Sequence, residues 1–293
     1  MSVNKGKECK VNILYMRSIT NVDWQITSQC NRHCAYCFGP ENLEALSFDN
    51  VCLVVDKLVQ VGTKQIGITG GEPLLHPCFP EIVDYIYEAG LKIYLSTNCD
   101  YYEQYSDLIK SKVSVIGIPI DGSYPDLHDG QRGKSSFYSV IHALNDISNS
   151  NCMTKVKIGT VITNRNYSDL KFIEKLLLKY ADTILYWKLY QLVSYDRNKD
   201  NVNHLKPNIV NMEELGSFLG KEKIVNDTLD KRNLSYFFIK PNGNVFIPVL
   251  TDVCSREIDL GNLITDDMNT IKKRFFSLVN NEGFMSPFRY MRV

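Results

Sequence analysis

Six short runs of β-branched and aromatic residues recur along the first two-thirds of this chain, and they restrict its fold more than any other feature. They are DWQIT (23–27), KQIGIT (64–69), LKIYLST (91–97), VSVIGIPI (113–120), KVKIGTVI (155–162) and TILYWKLY (183–190). Several are apolar without alternation, as expected of strands covered on both faces. Helical periodicity fills the gaps. One helix starts at an N-capping Ser47, carries Val51, Val54, Val55 and Leu58 on one face and stops at Gly62. A second carries Ile82, Val83, Ile86 and Ala89 and stops at Gly90, and further helices are expected near 102–111, 136–148 and 167–180. Repeated strand–helix units imply a parallel sheet with right-handed crossovers. The usual closed barrel needs eight units. Six predict an α/β fold with an open, partial (β/α)6 parallel barrel over residues 1–191.

The remainder, 192–293, reads as a C-terminal extension that covers the barrel's open side and contacts substrate. DRNKDNVNHLKPN (196–208) is a polar loop, and LSYFFIKPNGNVFIPV (234–249) places two apolar runs around Pro-Asn-Gly, a hairpin signal. DMNTIKKRFFSLVNN is expected to be helical. Lys and Arg together number 33, as do Asp and Glu. That balance gives no global attraction to DNA or to an anionic membrane. No apolar run is long enough to span a bilayer, and MSVNKGKECK lacks a signal-peptide core. Nine cysteines, an odd number and mostly scattered, do not suggest a disulfide framework. A reducing cytoplasm is the expected compartment.

One group of cysteines is not scattered. CNRHCAYC (30–37) places Cys30, Cys34 and Cys37 just after the first strand. Positions i, i+4 and i+7 also describe one buried helix face, but the polar neighbours Asn31, Arg32 and His33 and the following Gly39-Pro40 oppose a helix. Zinc with His33 as fourth ligand is a second reading, awkward because adjacent side chains point apart. The third is an iron–sulfur cubane with three cysteine-held irons and one open iron, at the barrel face where such folds build active sites.

CNRHCAYC resembles the cluster motif of radical S-adenosylmethionine (radical SAM) enzymes, with Tyr36 at its aromatic position, and ITGGEP (68–73) resembles that family's Gly-Gly-Glu-Pro motif, about forty residues on. The resemblance covers roughly residues 20–190. It implies one 4Fe-4S cluster, bound S-adenosyl-L-methionine (SAM), reductive cleavage to a 5′-deoxyadenosyl radical, and an external electron donor of the flavodoxin or ferredoxin type. Gly70 and Gly71 would let backbone approach the methionine end of SAM, and Glu72, followed by Pro73, would hold its ammonium. The plainer reading of Glu72 is a helix-start carboxylate. Ser96 and Asn98 match the family's ribose-side turn, where Cys99 stands in place of glycine. PIDGSYPDLHDGQRG (119–133) resembles a segment of peptide-modifying (SPASM/twitch-type) members, with Pro119 in place of a SAM-binding serine and Arg132 suited to the SAM carboxylate; a surface arginine in a polar loop is the plainer reading of Arg132.

Only Cys254 follows residue 152, so auxiliary clusters are not expected. The short tail and YWKLYQ (186–191) resemble viperin-like members, whose triphosphate pocket would draw on basic residues such as Lys155, Lys157, Arg165, Lys188 and Lys240. Trp187 and Tyr190 fit either core or substrate stacking. The substrate is expected to be a small metabolite or nucleotide. A ribosomal peptide is the alternative, and a non-catalytic iron–sulfur regulator is the reading from a different class.

Overall fold

The computed structural model describes residues 18–279 apart from 38, 40–41, 196–201, 208–214, 216, 235 and 252–254; Cys9, Cys254 and much of the predicted 196–208 loop lie outside the described residues. The six expected strands are β1 (Asn21–Thr27), β2 (Gln65–Gly70), β3 (Lys92–Ser96), β4 (Val115–Pro119), β5 (Lys155–Ile162) and β6 (Ile184–Gln191). They pair in parallel in chain order. The crossover helices are α1 (Phe48–Gln60), α2 (Phe79–Glu88), α3 (Tyr102–Lys112), α4 (Pro125–Arg132), α5 (Ser136–Asn149) and α6 (Leu170–Leu178). Ser47 caps α1 by accepting from the Asn50 amide, and Val51, Val54, Val55 and Leu58 are its buried face. α4 was not expected from the sequence. It starts with Pro125 and stops at Gly133, whose φ of +100° suits glycine.

Each strand sorts its side chains between two environments, because successive residues point to opposite faces. On β1, Val22, Trp24 and Ile26 enter the layer shared with the helices, whereas Asp23 and Gln25 face the barrel interior. On β6, Trp187 and Leu189 are core and Tyr186, Lys188 and Tyr190 face inward. Trp187 donates to Thr160 Oγ1 at 2.9 Å, which makes it a core residue. The interior is hollow because Gly67, Gly117 and Gly159 occupy inward positions on β2, β4 and β5. A β-carbon on Gly159 would stand 3.2 Å from the Tyr190 ring, and one on Gly117 would stand 3.2 Å from Ser96 Oγ.

The extension continues the same sheet from both edges. β7 (Ile224–Asp227) pairs in parallel with β6, and the four-residue α7 (Leu229–Arg232) follows it. β8 (Phe238–Ile239) pairs in parallel with β1, β9 (Asn244–Val249) returns antiparallel to β8, and β10 (Arg256–Asn262) borders β9. Among the described residues the sheet therefore has ten strands, in the order β10-β9-β8-β1-β2-β3-β4-β5-β6-β7. The expected hairpin is β8–β9, closed by the Lys240 amide donating to the Asn244 carbonyl at 2.7 Å, with Gly243 at φ +85°. The expected final helix is α8 (Met268–Leu278), capped by Asp267 and anchored by Phe275 against Phe237.

The extension is also held to the barrel away from the sheet. Glu174 on α6 is fully buried, and its Oε1 accepts the amides of Phe218 and Leu219 at 2.9 and 3.0 Å. Glu174→Ala leaves both amides without that acceptor, at a cost of about 3 kcal/mol. Urea unfolding should show a lower midpoint at an unchanged slope.

Candidate active site

The C-terminal ends of β1 to β6 open into one cavity of about 370 Å³. At one end the loop after β1 brings Cys30, Cys34 and Cys37 to the cavity wall. Cys30 and Cys37 are exposed and Cys34 is half-buried. Two of the sulfurs accept backbone amides, Arg32 to Cys30 at 3.4 Å and Gly39 to Cys37 at 3.2 Å, as suits sulfurs that carry negative charge. Burial pushes the Cys30 and Cys34 thiols up, and Cys37 lies near enough to add repulsion to both. His33 is exposed and does not line the cavity. Among the described residues no three His, Cys, Asp or Glu side chains converge tightly enough to hold a single metal ion. A donor set of three thiols at an open mouth suits an iron–sulfur cluster held through cysteine.

The cysteine loop is locked in place from below and from the side. Tyr36 donates its hydroxyl to Asp121 Oδ2, and Arg132 Nε donates to the same oxygen. The Arg132 guanidinium also lies 5.6 Å from the Tyr36 ring centroid. Asp121 is fully buried; its Oδ1 accepts the Val161 amide at 2.8 Å, and its own amide donates to His128 Nδ1 at 3.1 Å. Burial holds His128 neutral, with its pKa lowered to about 4. Arg32 adds a second brace. It pairs with Asp100 and donates to the carbonyls of Arg132, Gly133 and Lys134 at the end of α4. Sequence reasoning missed this role; a charged residue between two cluster cysteines was the available signal.

Gly70 and Gly71 make a close approach necessary for the fold itself. A β-carbon on Gly70, whose φ is +144°, would meet the Thr27 carbonyl at 2.3 Å, and one on Gly71 would meet that of Gln29 at 2.1 Å. In return the amides of Gly71 and Glu72 donate to those carbonyls at 2.8 and 2.7 Å. The turn at Glu72 is thus welded to the start of the cysteine loop. Glu72 is 1% exposed, and its carboxylate accepts from Leu74 N (3.1 Å), Thr97 Oγ1 (2.7 Å) and Asn98 N (2.7 Å). Burial pushes its pKa up to about 7, against the lowering effect of those donors. Pro73 begins the short 3-10 turn that Glu72 caps. Ser96 and Asn98 line the cavity, and Asn98 Nδ2 donates to Asn31 Oδ1 at 2.8 Å. Cys99 keeps the left-handed turn that glycine would favour, at φ +69°. Pro119 lines the cavity and pairs with Gly159.

The other end of the cavity is cationic and rich in tyrosine. Lys157, Lys188 and Arg232 all reach it, and their charged groups lie 5.4, 4.9 and 5.7 Å from the Tyr190 ring centroid. Lys188 pairs with Asp227 at 3.1 Å and donates to the Tyr236 hydroxyl at 3.2 Å. Lys155, Arg165 and Lys240 do not line the cavity. They bond the carbonyls of Asp182 and Gly130 and the Glu257 carboxylate. Arg232 was missed because the short α7 that presents it has no periodic signal.

Residues 24–177 match the Radical SAM superfamily model. The mycofactocin maturase MftC of Mycolicibacterium smegmatis is 28% identical over 201 residues, 67% of this chain and 50% of the maturase. The chain thus spans about half the length of the maturases it matches. An S-adenosylmethionine-dependent nucleotide dehydratase of Selenomonas ruminantium is 25% identical over 269 residues, 87% of this chain and 94% of that one. The crystal structure of Streptococcus suis SuiB bound to S-adenosylmethionine superposes with a TM-score of 0.68 at 13% identity, covering 94% of this chain and 69% of SuiB. No helix among the described residues is long and apolar enough to cross a membrane.

Asp121 is the joint on which the cysteine loop rests, so Asp121→Asn leaves the Arg132 charge without its counterion. Removing one partner of such a buried pair costs about 3–5 kcal/mol. The expected outcome is a lower chemical-denaturation midpoint, with the Tyr36→Phe variant losing about 1 kcal/mol by the same assay.

Proposed function

The chain belongs to the radical SAM superfamily, and on that premise we propose that it generates a 5′-deoxyadenosyl radical to abstract hydrogen from a small anionic metabolite, a nucleotide above all. Cys30, Cys34 and Cys37 would hold its one 4Fe-4S cluster, and Glu72, Asn98 and Arg132 would bind SAM beside it. When bound, the cluster supplies the single electron that cleaves SAM to methionine and the radical. The chain's own residues do the rest. Arg132, tethered by Asp121, keeps a fixed cation at the cysteine end for the SAM carboxylate. Glu72, when ionised, presents a buried carboxylate to the SAM ammonium. Ser96 and Tyr36 line the same cavity.

The cationic far end of the cavity is the observation that carries the substrate class. Lys157, Lys188, Arg232 and one carboxylate, Asp23, line it, and Asp227, outside the lining, pairs with both Lys188 at 3.1 Å and Arg232 at 3.4 Å, so that the lining keeps an excess of positive charge. An anionic group such as a phosphate chain would meet a positive field in a low-dielectric enclosure. The near-complete overlap in length with the nucleotide dehydratase supports the same reading. Peptide modification is the second reading, favoured by the similarity to a mycofactocin maturase and by a like fold, SuiB, crystallised with its precursor peptide SuiA.

Anaerobic reconstitution tests the chemistry. Wild type should hold about four irons and release 5′-deoxyadenosine on reduction with SAM present. Replacing Cys30, Cys34 and Cys37 together by Ala should remove both, while Cys52 and Cys152 should be dispensable for the cluster. A nucleoside triphosphate panel should accelerate 5′-deoxyadenosine release above the uncoupled rate. Lys157→Ala and Lys188→Ala should each weaken tripolyphosphate binding about ten- to a hundredfold. Acceleration by peptides alone would favour the second reading.

The burial of Glu72 adds a pH signature. Its raised pKa means that the ionised fraction grows as pH rises through about 7. SAM affinity of the reconstituted protein should rise about three- to tenfold between pH 6 and 7.5, and Glu72→Gln should flatten that rise. Equilibrium binding at fixed ionic strength measures both.

A further inference from the structure

Asp23 is the one carboxylate that β1 turns into the barrel interior, and its Oδ2 is buried without a hydrogen-bond partner. Its strand neighbours offer it nothing: Gly67 on β2 has no side chain, and Phe238 on β8 is apolar. Two positions along β1, Gln25 Oε1 is likewise buried and without a partner. The charges that act on Asp23 most strongly are Lys157 on β5 and Lys188 on β6. Neither forms an ion pair with it, because Lys188 is engaged by Asp227 and Tyr236 and Lys157 leans on Tyr190.

A carboxylate beside an anion-binding cage is a conflict. Ionised, it repels the ligand that the cations attract. Neutral, it turns from an acceptor into a donor aimed at the same ligand. We infer that Asp23 is a specificity-determining residue that takes one proton from solvent when an anionic ligand docks on Lys157 and Lys188, and then donates a hydrogen bond to that ligand. The site would thereby select a ligand that both carries negative charge and accepts hydrogen bonds, as phosphate oxygens do.

The proton is already close to bound. Burial raises Asp23 from the usual carboxylate range to about 6, with Lys157 and then Lys188 opposing that rise. An anion neutralising those two lysines removes the opposition and pushes Asp23 higher still. The other groups at this end are Arg232 on α7, four tyrosines, and Asp227 on β7, which does not line the cavity and pairs with Lys188 and Arg232. Burial raises Tyr94, on β3, to about 12 and holds Tyr186, on β6, and Tyr236 well above ordinary phenols. Tyr190 is the exception, drawn below the ordinary phenol value by Lys157 and Lys188 despite its burial. It is therefore the rival proton carrier.

This inference rests on the anionic-substrate reading, and the experiment separates the two. Tripolyphosphate is titrated into reconstituted protein carrying SAM, by calorimetry in two buffers of different ionisation heat, from pH 6 to 8. Wild type should take up about one more proton per site than Asp23→Asn at pH 7.5, and its affinity should fall up to about tenfold more steeply per pH unit. Asp23→Asn should still bind, because its amide donates the same hydrogen bond at every pH. Tyr190→Phe should keep the extra proton. Equal uptake by wild type and Asp23→Asn, or loss of the extra proton in Tyr190→Phe alone, overturns the inference and leaves the anionic reading standing. No tripolyphosphate binding at any pH overturns both.

Discussion

One buried carboxylate joins three elements that the chain could otherwise not hold in register. Asp121 receives Tyr36 from the cysteine loop, Arg132 from α4 and the Val161 amide from β5. Its backbone carbonyl takes Gln131 at 2.9 Å and Asn166 at 3.1 Å. A carboxylate with no exposure is costly unless it is hydrogen-bonded, and here both oxygens accept, Oδ2 twice and Oδ1 once. Loops are usually the mobile part of a fold. The loop of residues 30–37 is instead tied to the barrel mouth, because the Tyr36 hydroxyl bonds Asp121 just past the end of β4. That fixes Cys34 and Cys37 on either side of it, with Arg132 set against the Tyr36 ring.

The same economy of space governs the barrel interior. Side chains normally fill small barrels completely. Here inward glycines on β2, β4 and β5 withdraw that filling, and Lys157 and Tyr190 lie across the gaps they leave. Buried lysines survive only when paired. Lys188 meets this requirement through Asp227 and Tyr236, both brought by the extension. A cationic interior and an extension bearing an acid are thus two halves of one arrangement.

Most of the barrel was legible because its signals are local. Strand runs such as KVKIGTVI need only β-branched residues, and α1 announces both its cap and its stop. The cysteine loop and the turn at Gly70-Gly71-Glu72 were legible because chemistry and close backbone contact leave few permissible residues. What failed to show depends on partners remote in sequence. α4 has a polar sequence and exists because His128, Gln131 and Arg132 bond back to Asp121 and its neighbours. β7 is four residues long and draws its stability from pairing with β6. Arg232 was invisible for the same reason. The number of strands in the sheet was also hidden, since nothing in the hairpin sequence says that β8 will lie beside β1.

That last pairing explains how one cavity comes to have two chemically distinct ends. The cysteine end is built from loops that follow β1, β2 and β3 and from α4, all within the barrel. Much of the far wall comes from the extension, with Arg232, Tyr236, Phe238, Pro248 and Leu250 facing the cavity opposite the barrel strands. Tyr236, Phe238 and Phe246 stack at 5.2 Å spacings and carry that wall outward from the cavity. The hydrogen bonds of the Asp121 joint and the backbone contacts at Gly70 and Gly71 are made within the barrel segment. Substitution in the extension's wall alters what the cavity admits without disturbing how the cysteine loop is held. The cavity therefore joins a cysteine end held by the barrel's own contacts to a far wall supplied largely by the extension, which enters the sheet beside β1 and β6.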